Sequence, residues 1–266
     1  MSRIEILFKK LIDGETADIK PQSRIEKGLL RCINKSGIEG LPAPESRCEA
    51  YIQALAKQME GGGGSGGADV SGYYDGTTTE IALPNATQIK NYAFYSHSDL
   101  TKITMPNVTA IGEYAFSNCT KLANTELPEG VKTIAVQGFQ ECRALALTKL
   151  PSALTSIGVC AFLNCINLAI TELPDGVRSV GSSAFSGCTK LTTLIMNVTD
   201  LSSTVFKNCT GLTSVTFKQK LKSYSGNIFT GCNNLTVINV PWSEGAVSGA
   251  PWGATNATIN YNYTGG

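Results

Sequence analysis

The stretch "IGEYAFSNCTKL" at residues 111–122 returns as "IGVCAFLNCINL" at 157–168 and "VGSSAFSGCTKL" at 180–191. Aligned on Phe94, Phe116, Phe139, Phe162, Phe185, Phe206 and Phe229, the chain shows successive spacings of 22, 23, 23, 23, 21 and 23 residues. A period in this range marks a solenoid, because one such unit cannot bury its own apolar side and must stack on copies of itself. Five residues before each Phe stands Ile89, Ile111, Ile134, Ile157, Val180, Leu201 or Tyr224. Six residues after it stands Leu100, Leu122, Leu145, Leu168, Leu191, Leu212 or Leu235. Both columns are expected to point inward. After each Leu the pattern is read at period two, which puts alternate side chains on one face of a short strand. Leu-Pro or Met-Pro at 83–84, 105–106, 127–128, 150–151 and 173–174 ends that strand, since proline lacks an N–H and fixes φ. Seven units across residues 86–241 thus predict parallel short strands about 4.8 Å apart.

The pattern I-G-x-x-A-F-x-x-C-x-x-L, followed by a strand and Leu-Pro, resembles the BspA-like leucine-rich repeat family of bacterial and protozoal surface proteins. The resemblance implies a leucine-rich repeat solenoid over residues 70–241 and, for function, a protein-binding or adhesive surface.

Cys119, Cys142, Cys165, Cys188, Cys209 and Cys232 each stand three residues after a Phe, so stacking superimposes them as a ladder. Equivalent side chains on successive rungs project in parallel, the wrong Cβ geometry for disulfides. Buried free thiols acting as small apolar side chains are expected, with redox and metal roles as the alternatives. His97 takes the ladder position in the first rung, and as the chain's single His it argues against a zinc site or a Cys–His nucleophile. Cys32, Cys48 and Cys160 fall outside the register, and an odd total of nine argues against a disulfide framework.

If the Leu, Leu+3 and Leu+5 side chains point inward, the Leu+2 and Leu+4 residues face out. On that assumption Leu147, Ile170 and Ile195 form an exposed apolar patch, flanked by Glu126, Lys149 and Glu172 alternating in sign from rung to rung. These six residues are the candidate site. The face is either an ordinary solvated sheet surface or a contact surface for protein or glycan. Glycoside hydrolysis by Glu126 and Glu172 is disfavoured: they stand two rungs, roughly 9.6 Å, apart with a Lys between them that keeps both ionised.

Residues 1–60 have different punctuation. Ser-Arg-x-Glu at 2–5, 23–26 and 46–49 reads as three capping boxes, each followed by apolar residues at helical spacing and stopped by Gly14, Gly37 or Gly61. Three short helices are expected, too small to be robust alone and so expected to dock on another protein or self-associate. This module resembles the amino-terminal parts of tail-region proteins encoded by phages and prophages of Gram-positive bacteria. "GGGGSGG" at 61–67 lies in a flexible linker assigned to 61–69, with a reach of roughly 15 Å. Residues 242–266 break the repeat, and Trp242, Trp252, Tyr261 and Tyr263 serve either to cap the last rung or to bind glycan. The fold class expected from helices plus solenoid is α+β.

Composition narrows the functions. A net charge of +1 with no segregated basic stretch argues against nucleic acid, and the absence of an apolar run near 18 residues argues against membrane insertion. "MSRIEILFKKLIDGE" carries charges where a signal peptide needs an apolar core, so cytoplasmic synthesis with virion incorporation is expected, or a cell-surface position reached by a non-Sec route. Eight Asn-x-Thr triplets are then turn chemistry rather than glycosylation acceptors. No nucleophile–base pair, metal cluster or phosphate loop stands out, so no enzyme, cofactor or metal is expected. The leading expectation is a binding or adhesion protein that recognises a protein or glycan on a host or bacterial surface, as a phage tail-associated or bacterial surface component. A structural spacer of a phage or prophage particle is the alternative.

Overall fold

A computed structural model describes residues 79–264. Among them are thirteen short strands: β1 (Glu80–Ala82), β2 (Gln88–Ile89), β3 (Lys102–Thr104), β4 (Ala110–Ile111), β5 (Thr133–Ile134), β6 (Ser156–Ile157), β7 (Ser179–Val180), β8 (Thr193–Met196), β9 (Asp200–Leu201), β10 (Ser214–Phe217), β11 (Ser223–Tyr224), β12 (Val237–Asn239) and β13 (Thr258–Asn260). Every pairing between them is parallel.

The α+β class is corrected by this result: the described residues form a parallel β-solenoid without a helix. The physical reason lies in the Phe-centred segment, which turns twice through left-handed residues. Tyr114, Gln137 and Cys160 take φ of 54°, 53° and 54° two residues before their Phe, and Asn118, Glu141 and Asn164 take 63°, 59° and 58° two residues after it. Alternating hands in this way cannot continue as an α-helix. The three expected helices at 1–60, the 61–69 linker, Cys32 and Cys48 lie outside the described residues.

The unbroken sheet is built on the Ile column, not after the Leu. Strands β2, β4, β5, β6, β7, β9 and β11 join in that order into seven parallel strands, with Ile89 opposite Ile111, Ile111 opposite Ile134 and Val180 opposite Leu201. Beside this column Gly158 is required: a Cβ there would lie 2.6 Å from the Ala135 carbonyl carbon and 2.7 Å from Val136 N on the preceding rung. At Gly187 both effects combine, with φ of +75° and a Cβ position 2.2 Å from Asn164 Oδ1.

Inside, Phe94, Phe116, Phe139, Phe162, Phe185, Phe206 and Phe229 are fully buried and stack ring on ring, with centroids 5.0–5.7 Å apart and planes within 12°. The six ladder cysteines are buried and unbridged. They do more than fill space. Each thiol donates to the Phe carbonyl of the preceding rung, as Cys142 Sγ to Phe116 O and Cys165 Sγ to Phe139 O, both at 3.0 Å. Burial pushes the Cys119, Cys142, Cys165 and Cys188 thiols up, away from the reactive thiolate.

Past the seventh rung the chain adds a partial eighth. Strand β13 pairs with β12, and Phe229 N–H donates to Trp252 C=O at 3.0 Å, as Phe206 N–H does to Ile228 C=O in the rung before. Trp252 and Trp242 are buried against Phe217, with ring centroids 5.9 and 5.8 Å from it, and Trp252 Nε1 donates to Ser248 C=O at 3.0 Å.

Candidate functional site

After each Leu, where a strand was expected in every rung, the sheet is in two pieces. Strand β1 pairs with β3, while β8, β10, β12 and β13 form a separate group of four. Between them, the segments at 122–127, 145–150 and 168–173 carry no regular strand. The interruption has a cause in the side chains. In strand-forming rungs the Leu+3 residue is apolar and buried, as Ile103, Leu194, Val215 and Ile238 are. In the interrupted rungs that position holds Thr125, Thr148 or Thr171, all exposed, and two of the three rungs send an apolar Leu+2 residue inward instead. The chain then bulges outward over two successive residues before Leu+5 returns to the core, and two successive exposed residues are incompatible with strand alternation.

Leu147 and Ile170 are therefore corrected. They were expected outside, yet their exposures are 0% and 1%, because in these rungs the inward set is Leu, Leu+2 and Leu+5. Ile195 sits in regular strand β8 and stays outside at 39%. The expected apolar patch is thus reduced to one residue. Glu126, Lys149 and Glu172 are all exposed on the bulges, beside Thr125, Thr148 and Thr171. Their alternation does not make ion pairs along the row. Lys149 Nζ reaches Glu129 Oε1 at 2.7 Å, and the other Glu129 oxygen accepts from Ser152 N–H at 2.9 Å. The Lys149 ammonium and the Ser152 donors together hold the Glu129 carboxyl down at about 2, and Glu129 in turn raises the Lys149 ammonium.

The edges of the interruption are closed unequally. At β3 the Asn124 carboxamide stands in for a strand, its Oδ1 accepting from Ile103 N–H at 2.9 Å and its Nδ2 donating to Ile103 C=O at 2.7 Å. At β8 the chain itself nearly completes the ladder, with Ile195 N–H to Thr171 C=O and Leu173 N–H to Ile195 C=O, both at 2.9 Å. Between these edges the rungs are joined here by Ala146 N–H to Asn124 C=O at 3.1 Å and Ala169 N–H to Leu147 C=O at 2.9 Å.

Glu129 and Asn124 were missed by the outward-row reading. Asn124 could have been found, since it is the one carboxamide in the Leu+2 column and a carboxamide can copy a peptide group. Among the described residues, no three His, Cys, Asp or Glu side chains converge as metal ligands.

The repeat length, the Phe and Cys columns and the parallel rungs together decide the family, and the BspA-type leucine-rich repeat region matches in six copies over residues 71–192 and 132–248. The chain belongs to the BspA-type leucine-rich repeat proteins. Among solved structures, a leucine-rich repeat protein of T. pallidum is 30% identical, with a TM-score of 0.55 over 61% of this chain and 80% of that one. A leucine-rich repeat protein from Bacteroides ovatus is 23% identical over 69% of this chain and 61% of its own, at a TM-score of 0.42. The pneumococcal vaccine antigen PcpA is 20% identical over 60% of this chain and 50% of its own, at 0.39. No curated protein matches the chain. Membership among BspA-type repeats suggests a binding or adhesion surface and indicates no catalytic family. The resemblance of residues 1–60 to phage tail-region proteins draws no support here, because the BspA-type match begins at residue 71.

Proposed function

We propose that this protein is a non-enzymatic binding or adhesion protein that recognises a protein or glycan through the interrupted side of its solenoid, around Glu126, Lys149, Glu172 and Ile195. The observation that carries the reading is the contrast within each rung. The Phe column is invariant, the Cys column nearly so and the Ile column mostly aliphatic because stacking demands it, whereas the bulges expose two side chains per rung in a row of changing charge. Threonine hydroxyls, carboxylates of Glu126 and Glu172, the Lys149 ammonium and the Ile195 side chain supply the mixed polar and apolar contacts of a recognition surface. The family suggests the same class of function.

The test is a binding screen of the wild-type chain on arrays of glycans and surface proteins, repeated with a Lys149→Glu, Glu172→Lys, Ile195→Ser variant. The variant is expected to lose the ligand that the wild type captures while unfolding at an unchanged temperature. Undiminished binding by that variant would refute the assignment of the site.

A further inference from the structure

A second surface lies round the corner of each rung, past the turn that ends the Leu-side segment. The residue two before each Ile-column position forms a column of Thr87, Thr109, Lys132, Thr155, Arg178, Thr199 and Lys222. Backbone bonds hold it in register: Lys132 N–H to Thr109 C=O at 2.8 Å, Thr155 N–H to Lys132 C=O at 2.9 Å, Thr199 N–H to Arg178 C=O at 2.9 Å and Lys222 N–H to Thr199 C=O at 2.8 Å. From rung three onward cation and threonine alternate. Thr109 and Thr155 turn their hydroxyls back to the rung before, to Thr87 C=O at 3.1 Å and Lys132 C=O at 3.2 Å, and leave the cations as the projecting groups. Lys132, Arg178 and Lys222 are exposed and stand two rungs, roughly 9.6 Å, apart. The next column outward is Thr133, Ser156, Ser179, Asp200 and Ser223, a line of small hydroxyls with one acid.

Two of the acids nearby are paired with cations, and the third accepts from a neutral hydroxyl. Asp200 accepts from Thr199 Oγ1 at 2.6 Å, Asp175 is bound by Lys218 at 3.2 Å, and Glu129 is bound by Lys149 at 2.7 Å. Arg178 gives one N–H to Asn197 C=O at 2.8 Å and keeps its remaining donors. Lys220 adds a further exposed cation beside Lys222.

We propose that this stripe binds a linear acidic polysaccharide carrying one carboxylate or sulfate per disaccharide, laid along the solenoid axis. An extended disaccharide has about the length of two rungs, so one anion meets one cation in each repeat while the Ser and Thr hydroxyls between them meet sugar hydroxyls. A DNA duplex presents a phosphate about every 3.4 Å along each strand, so only about every third phosphate would meet a cation of the stripe and the others would stand unmatched. The stripe is on a different side of the rung from the interrupted face, so failure here leaves that assignment standing.

The experiment measures binding of a labelled hyaluronan oligosaccharide, which carries one carboxylate per disaccharide, at low salt by fluorescence anisotropy. Three proteins are compared: the wild type, a Lys132→Ser, Arg178→Ser, Lys222→Ser variant, and a register variant with Lys132→Thr and Thr155→Lys. The wild type is expected to bind, with affinity falling as salt rises. The triple variant is expected to bind about tenfold more weakly, as loss of three exposed ion contacts implies. The register variant keeps the net charge but breaks the two-rung spacing, and is expected to be weakened as well. Equal binding by the wild type and the register variant, equally tight binding of a DNA duplex, or no oligosaccharide binding by the wild type would each overturn the proposal.

Discussion

On the Ile side of the solenoid a two-residue strand recurs in all seven rungs, whereas on the Leu side the strand is lost from three consecutive rungs in the middle. The rungs are the same, and so are the Phe and Cys columns inside them. The difference teaches that stacking needs only one continuous ladder per rung. Once the Ile sheet, the Phe stack and the thiol-to-carbonyl bonds fix the rung spacing, the other side is released to bulge, change charge and meet a partner.

The largest effects should come from the shared core. Phe162→Ala removes the middle of the ring stack and should cost ~3–5 kcal/mol in equilibrium unfolding, with Ile170→Ser close behind at ~2–5 kcal/mol because its side chain is interior to an interrupted rung. A small effect of Ile170→Ser would mean that the bulged rungs do not share the core, and the contrast between the two sides would collapse.

How much of this was legible in the sequence depends on which side of the rung is read. The Phe, Ile, Leu and Cys columns follow from spacing alone, since stacking allows little variation in them. The interruption does not, because a single alternation puts Leu+2 outside and Leu+3 inside in every rung alike. The missed signal was the exchange of character between Leu+2 and Leu+3: Ile103, Leu194, Val215 and Ile238 mark strands, while Thr125, Thr148 and Thr171 mark bulges. Leu147 and Ile170 lie inside for that reason, and Ile195 lies outside because its rung obeys the alternation. The stripe of Lys132, Arg178 and Lys222 stands two residues before the Ile column and so follows from the same spacing, while the backbone bonds between rungs show that it superimposes.

An intermediate effect is expected at the boundary. Asn124→Ala withdraws both hydrogen bonds from Ile103 at the β3 edge and should cost ~1–3 kcal/mol, with the Ile103 amide losing protection. Asn124→Asp, which retains an acceptor but no donor, should restore only the amide's bond.

The smallest effects belong to the exposed bulges. Ile195→Ser should stay within about 0.5 kcal/mol of the wild type, and Lys149→Ala should leave the unfolding temperature nearly unchanged. Lys149→Ala should nevertheless move the Glu129 carboxyl up from about 2 toward the ordinary carboxylate range, read by NMR titration. The sign follows from the depressed carboxyl: whatever the pair contributes is complete above the unfolded carboxylate pKa and is lost as pH falls toward the folded value near 2. Exposure of both partners keeps that contribution small.

Native-state hydrogen exchange, resolved by residue, tests the division between the two sides most directly. Amides of the Ile side, such as Ala135 and Gly158, whose N–H groups donate to Ile111 and Ile134, should exchange only through global unfolding. Amides of Thr125, Glu126, Thr148 and Lys149 should exchange orders of magnitude faster in the same experiment. Equal protection on both sides would show a second continuous ladder in solution, and the open face would not exist.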